Sequence, residues 1–311
     1  MKKQVIAIVG PTAVGKTELS IQLAKRFNGE IISGDSMQIY KGMDIATAKI
    51  TDKEKESIPH HMIDIKEPNQ SFSVAEFKER VQDLIDDITS RGKQPIIVGG
   101  TGLYIQAALW DYHFSDEEKD PKYREKIEQE IEICGIESIF ERLETVDPKQ
   151  AEKIHPNNIR RVVRALEVYD RTGKTKTEWQ ETQPIESPYQ PVLIGLTMER
   201  SDLYARINAR VDQMVEEGII EEAKSFYQLG FKGYQSMKAI GYKEFIPYFE
   251  GDIKKEEAIE QLKQNSRRYA KRQYTWFKNK MSVNWYDVSV DSKNKIFQKI
   301  YSDLEGILDF S

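Results

Sequence analysis

The 311-residue sequence contains one cysteine, Cys134, and four histidines. A single thiol excludes an internal disulfide framework and a cysteine-rich zinc site. No apolar run approaches the roughly 18 residues of a membrane span. The longest, such as Val192-Leu193-Ile194-Gly195-Leu196, is strand-sized. No charge of one sign dominates: the formal net charge is −5 at pH 7, so contact with nucleic acid would have to rest on a local patch. Low-complexity linkers and internal repeats are absent. The short apolar stretch near Met1 runs into Gly10-Pro11 without a small-residue cleavage site, which points to a first strand and a cytoplasmic protein without membrane contact.

What is present suits a folded enzyme. Apolar residues make up 39% and charged residues 31% of a chain long enough for two domains, or for one large domain with an insertion. Val5 to Val9, Ile31-Ile32, Met62 to Ile65 and Pro95 to Val98 read as short strands, and Thr17 to Phe27 and Phe72 to Ile88 as helices between them. Ser71 or Ser73 is the expected N-cap of the second helix. Strands alternating with helices predict an α/β fold, a P-loop-type parallel sheet flanked by helices. From Ser115 to about Ser187 no strand pattern occurs. Tyr123 to Ile133, Ile136 to Leu143 and Asn158 to Tyr169 look helical. The predicted division is a core of 1–114 with 188–311 and a helical insertion domain of 115–187. The core resumes with a strand at Pro191 to Thr197, helices at Ser201 to Glu217, Ile219 to Leu229, Tyr242 to Phe249 and Lys254 to Lys278, and a strand at Val283 to Val288.

Gly10-Pro11-Thr12-Ala13-Val14-Gly15-Lys16-Thr17 matches G-x-x-x-x-G-K-[ST] at every fixed position, between a strand and a helix. Glycines let the backbone turn successive N–H groups inward, and the helix start adds partial positive charge. Lys16 brings a full charge, and the Thr17 hydroxyl is a candidate Mg²⁺ ligand, direct or through water. ATP or GTP is the usual occupant of such a loop. Here, however, the strand ending at Val98 runs into Gly99-Gly100-Thr101, without the acidic residue that organises Mg²⁺ in nucleotide hydrolases. Carboxylates at strand ends are Asp35 and Asp64. Asp35, beside the phosphate loop, could bind metal, act as a base, or only cap its turn.

Further blocks narrow the choice. Asp35 to Tyr40 reads DSMQIY, Pro59 to Asp64 PHHMID, Val98 to Tyr104 VGGTGLY, Asn157 to Tyr169 NNIRRVVRALEVY, Ala239 to Glu244 AIGYKE and Ala270 to Lys278 AKRQYTWFK. With GPTAVGKT and in this order, the chain resembles the tRNA dimethylallyltransferases, also called tRNA isopentenyltransferases, from the first strand to about Trp285. Without a eukaryotic-type C-terminal zinc finger, it is similar to the bacterial form. Ile50 and Lys278 stand where proline and arginine are common.

The resemblance implies transfer of a dimethylallyl group from dimethylallyl diphosphate to N6 of adenine 37, in tRNAs reading codons that begin with U, with Mg²⁺. It implies that Gly10, Pro11, Thr12, Ala13, Val14, Gly15, Lys16 and Thr17 hold the diphosphate, that Asp35 is the general base, and that Thr101 lies at the reacting centre. One arginine of Arg206-Ile207-Asn208-Ala209-Arg210 would hold the leaving group. Implied tRNA contacts are Asp35, Ser36, Met37, Gln38 and Thr101 around the flipped base. In the insertion they are Arg124, Ile159, Arg160, Arg161, Val162 and Val163. Farther on they are Lys238, Ala239, Ile240, Gly241, Tyr242 and Lys243, then Arg268, Lys271, Arg272, Gln273, Tyr274, Thr275, Trp276, Phe277 and Lys278. The partners implied are the tRNA anticodon stem-loop and the allylic donor, with no obligate protein partner, so a monomer.

The residues carry this reading part of the way themselves. Lys263 to Lys280 holds seven basic residues, no acidic one, and interleaved aromatics, which pairs phosphate-binding cations with stacking rings. A solvated basic helix with an aromatic core face would look the same. Arg160, Arg161, Arg164, Arg171, Lys174 and Lys176 form a second patch, diluted by Glu167 and Asp170. His60, His61 and Asp64 lack the spacing of a metal site, Cys134 reads as a small apolar helix residue, and Tyr104 as packing. A metabolite kinase and a non-catalytic RNA-binding module are the rival classes.

Overall fold

A computed structural model describes residues 2–113, 121–184, 186–288 and 293–308. The chain divides into two compact units, 1–111 with 187–311, and 112–186.

The larger unit is built on one parallel sheet of six strands in the order β3-β2-β4-β1-β5-β6. The strands are β1 (Gln4–Val9), β2 (Gly29–Ser33), β3 (His60–His61), β4 (Gln94–Val98), β5 (Gln190–Thr197) and β6 (Asn284–Asp287). Central β1 pairs with β4 through Ala7 and Ile97 and with β5 through Ala7 and Leu193. Its side chains alternate between two cores: Val5, Ala7 and Val9 enter one, Ile6 and Ile8 the other. Burial on both faces is why this strand is an unbroken apolar run instead of an alternating one. Helix α1 (Lys16–Arg26) follows β1, α2 (Asp52–Lys55) precedes β3, and α3 (Val74–Ser90) and α4 (Gly102–Leu109) flank β4. Ser73 caps α3 by accepting the Glu76 amide at 3.0 Å.

The smaller unit is helical: α5 (Pro121–Val146), α6 (Pro148–Ala151), α7 (Ile159–Thr172) and α8 (Lys176–Glu181). Its own core joins Ile127, Ile139, Leu143, Val162, Val163 and Leu166. The expected break between two helices is present as a kink at Gly135, whose φ of 81° and ψ of 162° leave the helical region. Cys134, in α5 beside that kink, is exposed.

The chain then returns with α9 (Arg200–Glu216), α10 (Ile219–Gln228), α11 (Ile246–Glu250), α12 (Lys255–Lys280) and α13 (Lys293–Glu305). Two sequence expectations differ from this, and one helix was not expected. Met62 to Ile65 is not a strand: β3 is the two residues before it, and Met62 and Asp64 have positive φ. Tyr242 to Phe249 is not a helix, because the chain turns at Gly241 (φ +99°) and becomes helical only from Ile246. Helix α13, unassigned from sequence, buries Phe297, Ile300, Tyr301 and Leu304. Among the described residues no helix is long and apolar enough to cross a membrane.

Candidate active site

In a parallel sheet the carboxyl ends of the strands point one way, and ligands gather there. At this edge β1 delivers the loop Gly10–Thr17, β2 delivers Asp35 and β4 delivers Gly99–Gly102. The loop enters α1 through Gly15 in the left-handed region (φ 105°, ψ 19°), and Ala13 has positive φ as well. Such a backbone turns its amides inward. Lys16 folds back over the loop and donates to the carbonyls of Gly10 (3.0 Å) and Pro11 (2.6 Å). Burial, helped by the charge of Arg210 and opposed by Asp35, pulls its ammonium down to about 7. Thr12, Ala13, Gly15 and Thr17 face the adjoining cavity, whereas the Val14 side chain lies in the core beneath. Val14 can therefore offer an anion only its amide.

Asp35 does two things. One oxygen, Oδ1, caps the turn by accepting the Met37 amide at 2.8 Å. The carboxylate is also half-buried. Burial raises its pKa, while the Met37 amide, Lys16, the Gln38 amide and Arg210 pull it back down. Thr101 braces the same turn: its hydroxyl accepts the Ser36 amide at 3.2 Å and lies 3.4 Å from the Ser36 hydroxyl.

Helix α12 closes over this edge. Gln273, only 5% exposed, accepts the Thr12 amide at 2.9 Å. The Tyr269 hydroxyl bonds Thr101 and Gln273, and burial pushes it up to about 12. The approach is close because β4 ends in glycines: a Cβ on Gly100 would sit 1.8 Å from Gln273 Nε2, and one on Gly102 2.1 Å from Trp276 Cδ1.

Two chambers meet here. The inner one, about 280 Å³, lies over the phosphate loop. The outer one, about 310 Å³, is lined by Ser36, Met37, Lys238, Ala239, Ile240, Lys243 and Arg272. Thr12, Asp35, Thr47, Ala48, Arg210 and Tyr269 border both. Arg210 is thus distinguished from Arg206, which lines a flanking cavity that Arg210 also borders and neither of these two chambers. Burial works against the Arg210 charge and Asp35 supports it.

Several residues expected at the tRNA have buried side chains. Val162 (0%) and Val163 (4%) belong to the core of the smaller unit, and Tyr242 and Phe277 are fully buried in the larger one. Trp276 packs at Gly102, and Gln273 is turned to the phosphate loop. Apolar and aromatic residues on a basic helix face the core because that is where their area is hidden from water. Arg124 pairs with buried Glu167 at 3.2 Å. Arg160, Arg161 and Ile159 are exposed. On α12 the basic run is divided: Lys263 pairs with Asp212 and Arg267 with Asn208 and Glu260, while Arg268, Lys271, Arg272 and Lys278 are exposed. His60 Nδ1 lies 2.8 Å from the Ile58 carbonyl oxygen, and His61 Nε2 lies 2.8 Å from Glu30. Among the described residues no group of three or more His, Cys, Asp or Glu side chains is placed to hold a metal ion.

Thr47 and Ala48 border the site with no sequence signal for it, and Tyr269, one of the aromatics interleaved in the basic run, borders it too. Tyr269 lies within the basic run, so its composition signal pointed to a surface and not to a cavity.

The family model for IPP transferases matches residues 38–280. A tRNA dimethylallyltransferase of Anoxybacillus flavithermus is 58% identical over 304 residues, 98% of this chain and 96% of the relative. That of Geobacillus thermodenitrificans is 58% identical over 309 residues, 99% and 98% of the two chains. Among solved structures, a tRNA isopentenylpyrophosphate transferase from Staphylococcus epidermidis has a TM-score of 0.74 at 50% identity, covering 99% of this chain and 100% of its own. A eukaryotic dimethylallyltransferase acting on tRNA has a TM-score of 0.82 at 35% identity, covering 96% and 77%.

Proposed function

The chain belongs to the IPP transferase family, and from that premise we propose that it is a tRNA dimethylallyltransferase. It transfers the group from dimethylallyl diphosphate to N6 of adenine 37, in tRNAs reading codons that begin with U, and releases diphosphate. The observation that carries the reading is the position of Asp35 and Arg210 on the border of two chambers, one floored by the phosphate loop and one lined by Lys238, Lys243 and Arg272.

The roles follow from charge. Adenine N6 is a weak nucleophile because its lone pair is delocalised into the ring. The allylic C1–O bond of the donor loosens readily. As the N6–C1 bond forms and C1–O breaks, an electron pair passes to the diphosphate. The loop amides, Lys16 and Arg210 stabilise that charge. Removing one such donor typically costs about 3–4 kcal/mol of barrier. The N6 proton passes to the Asp35 carboxylate, whose Oδ2 is not used by the Met37 cap. A positioned base contributes roughly 10²–10⁴-fold.

Mg²⁺ fits the residues present. Thr17 offers a hydroxyl at the inner chamber, with no cage of carboxylates among the described residues, which suits an ion held largely by substrate phosphates. The ion would supply further charge for the leaving group. The base reaches this depth by leaving its stack, at a cost of a few kcal/mol that is least in an unpaired loop. The smaller unit, with Arg160 and Arg161 exposed, is read as a clamp on the anticodon stem-loop, and the enzyme as a cytoplasmic monomer.

The test is mass spectrometry of nucleosides from tRNA incubated with enzyme, donor and Mg²⁺. Dimethylallyl adenosine at position 37 is expected. Phosphoryl transfer from ATP to a metabolite, with the allylic donor ignored, would sink the reading.

A further inference from the structure

The outer chamber has two walls that belong to no α-helix or strand ladder. One is the segment 44–48, with Ala46, Thr47 and Ala48 facing the cavity. The other is the turn 238–243, with Lys238, Ala239, Ile240 and Lys243. One carboxylate joins them. Glu222, on α10, accepts the amides of Asp44 and Ile45 on Oε2, each at 2.9 Å. Its Oε1 accepts the Ala46 amide at 3.3 Å and the Tyr242 hydroxyl at 2.6 Å. Three consecutive amides of one wall and the tyrosine of the other thus converge on a single side chain. The walls are also in close contact: a Cβ on Gly241 would lie 2.5 Å from that of Ala46. Behind the first wall Gln38 Nε2 donates to the carbonyls of Thr47 (3.2 Å) and Ala48 (3.4 Å), so a shift at Ala46 would pass to the junction with the inner chamber.

We propose that Glu222 is a positioning residue that, through Tyr242, sets the spacing of the two walls between which the purine is admitted. Hydrogen bonds to an ionised group are the strong ones, and here they stand in for the ladder that the walls lack. The diphosphate is held by the β1–α1 loop, which Glu222 does not touch. The inference rests on the functional reading above.

Tyr242→Phe removes only the link between the walls, whereas Glu222→Gln also weakens the hold on three amides. The experiment compares kcat/KM for an anticodon stem-loop at saturating dimethylallyl diphosphate with the affinity for inorganic pyrophosphate. Tyr242→Phe is expected to lower kcat/KM for the RNA about tenfold, equivalent to about 1.4 kcal/mol, and Glu222→Gln to lower it further. Pyrophosphate affinity should stay within about twofold of wild type in Tyr242→Phe. A merely structural role would lower both together. Equal losses of RNA turnover and pyrophosphate affinity, or wild-type kcat/KM in Tyr242→Phe, would overturn the inference. Should Glu222→Gln not fold, Tyr242→Phe alone decides. Absence of transfer by the wild type would instead remove the functional reading.

Discussion

Replacing Gly100 by alanine tests how α12 seats on the phosphate loop. Gly100 does not have positive φ, so alanine meets no backbone objection there. What it meets is one side chain: the three nearest atoms all belong to Gln273, with Nε2 at 1.8 Å and Cδ at 2.9 Å. Carbon and nitrogen need roughly 3.5 Å, so the amide must move by about 1.5 Å or more. The α12 backbone is held by buried Ala270 and Phe277, which leaves side-chain rotation as the cheaper response. Rotation withdraws the oxygen that accepts the Thr12 amide. An unpaired buried donor costs about 1–3 kcal/mol, and crowding against the neighbours costs a similar amount. A loss of about 2–3 kcal/mol is therefore expected in chemical denaturation. The diagnostic comparison is made in a Gln273→Ala background, where the obstructing atoms are gone. There, Gly100→Ala should be nearly neutral, giving a coupling energy within the roughly 0.5–3 kcal/mol of contacting residues. Additive losses would falsify this account of the contact.

Asp35→Asn keeps an oxygen for the Met37 amide but removes the proposed base, so turnover should fall roughly 10²–10⁴-fold while the fold persists. Because burial raises the pKa of Asp35, the wild type loses stability as pH rises through that folded pKa. Asp35→Asn should therefore melt higher than wild type above it, and a lower melting temperature there would contradict the assignment. Lys16 titrates at about 7 in the ligand-free protein, far below the 10.5 of an ordinary lysine. Pyrophosphate binding at pH 8 should then take up a proton, seen as a buffer-dependent heat in calorimetry. The ligand-free fold should also gain stability from this group as pH rises from about 7 to 10.5, because the unfolded chain binds the extra proton in that window; Lys16→Met should abolish both effects. Replacing exposed Arg268 should reduce the slope of log affinity for tRNA against log salt by about one if it neutralises one phosphate. Replacing Lys263, already paired with Asp212, should leave the slope unchanged.

Much of the site is legible in the sequence because its signals are local. A β-branched run followed by glycines and Lys16-Thr17 specifies strand, loop and helix within 25 residues. Serine before an amphipathic stretch marks the start of α3, and Gly135 marks the kink in α5, each through its own backbone preference. The final helix, unassigned from sequence, has Phe297, Ile300, Tyr301 and Leu304 at helical spacing but no accompanying motif.

What composition could not divide was the inside from the outside of a motif. In Ile159 to Val163 and in Ala270 to Lys278, residues for the solvent and residues for the core alternate within one block of sequence. Only the packing shows that Val163 and Phe277 are core while Arg161 and Arg272 are surface. The same holds for the arginine pair of α9: four residues apart, Arg206 and Arg210 are chemically equal, and their distinction arises from which stretch of the helix lies against the end of the sheet. Glu222 is the extreme case, an ordinary acidic residue on a helix whose partners lie in loops 176 to 178 residues earlier and 20 later. The β1–α1 loop, the parallel sheet and the basic run of α12 were readable in the sequence, because each depends on neighbours along the chain. Which side chains face the two chambers, and which groups join their walls, follows from packing, because those depend on neighbours in space.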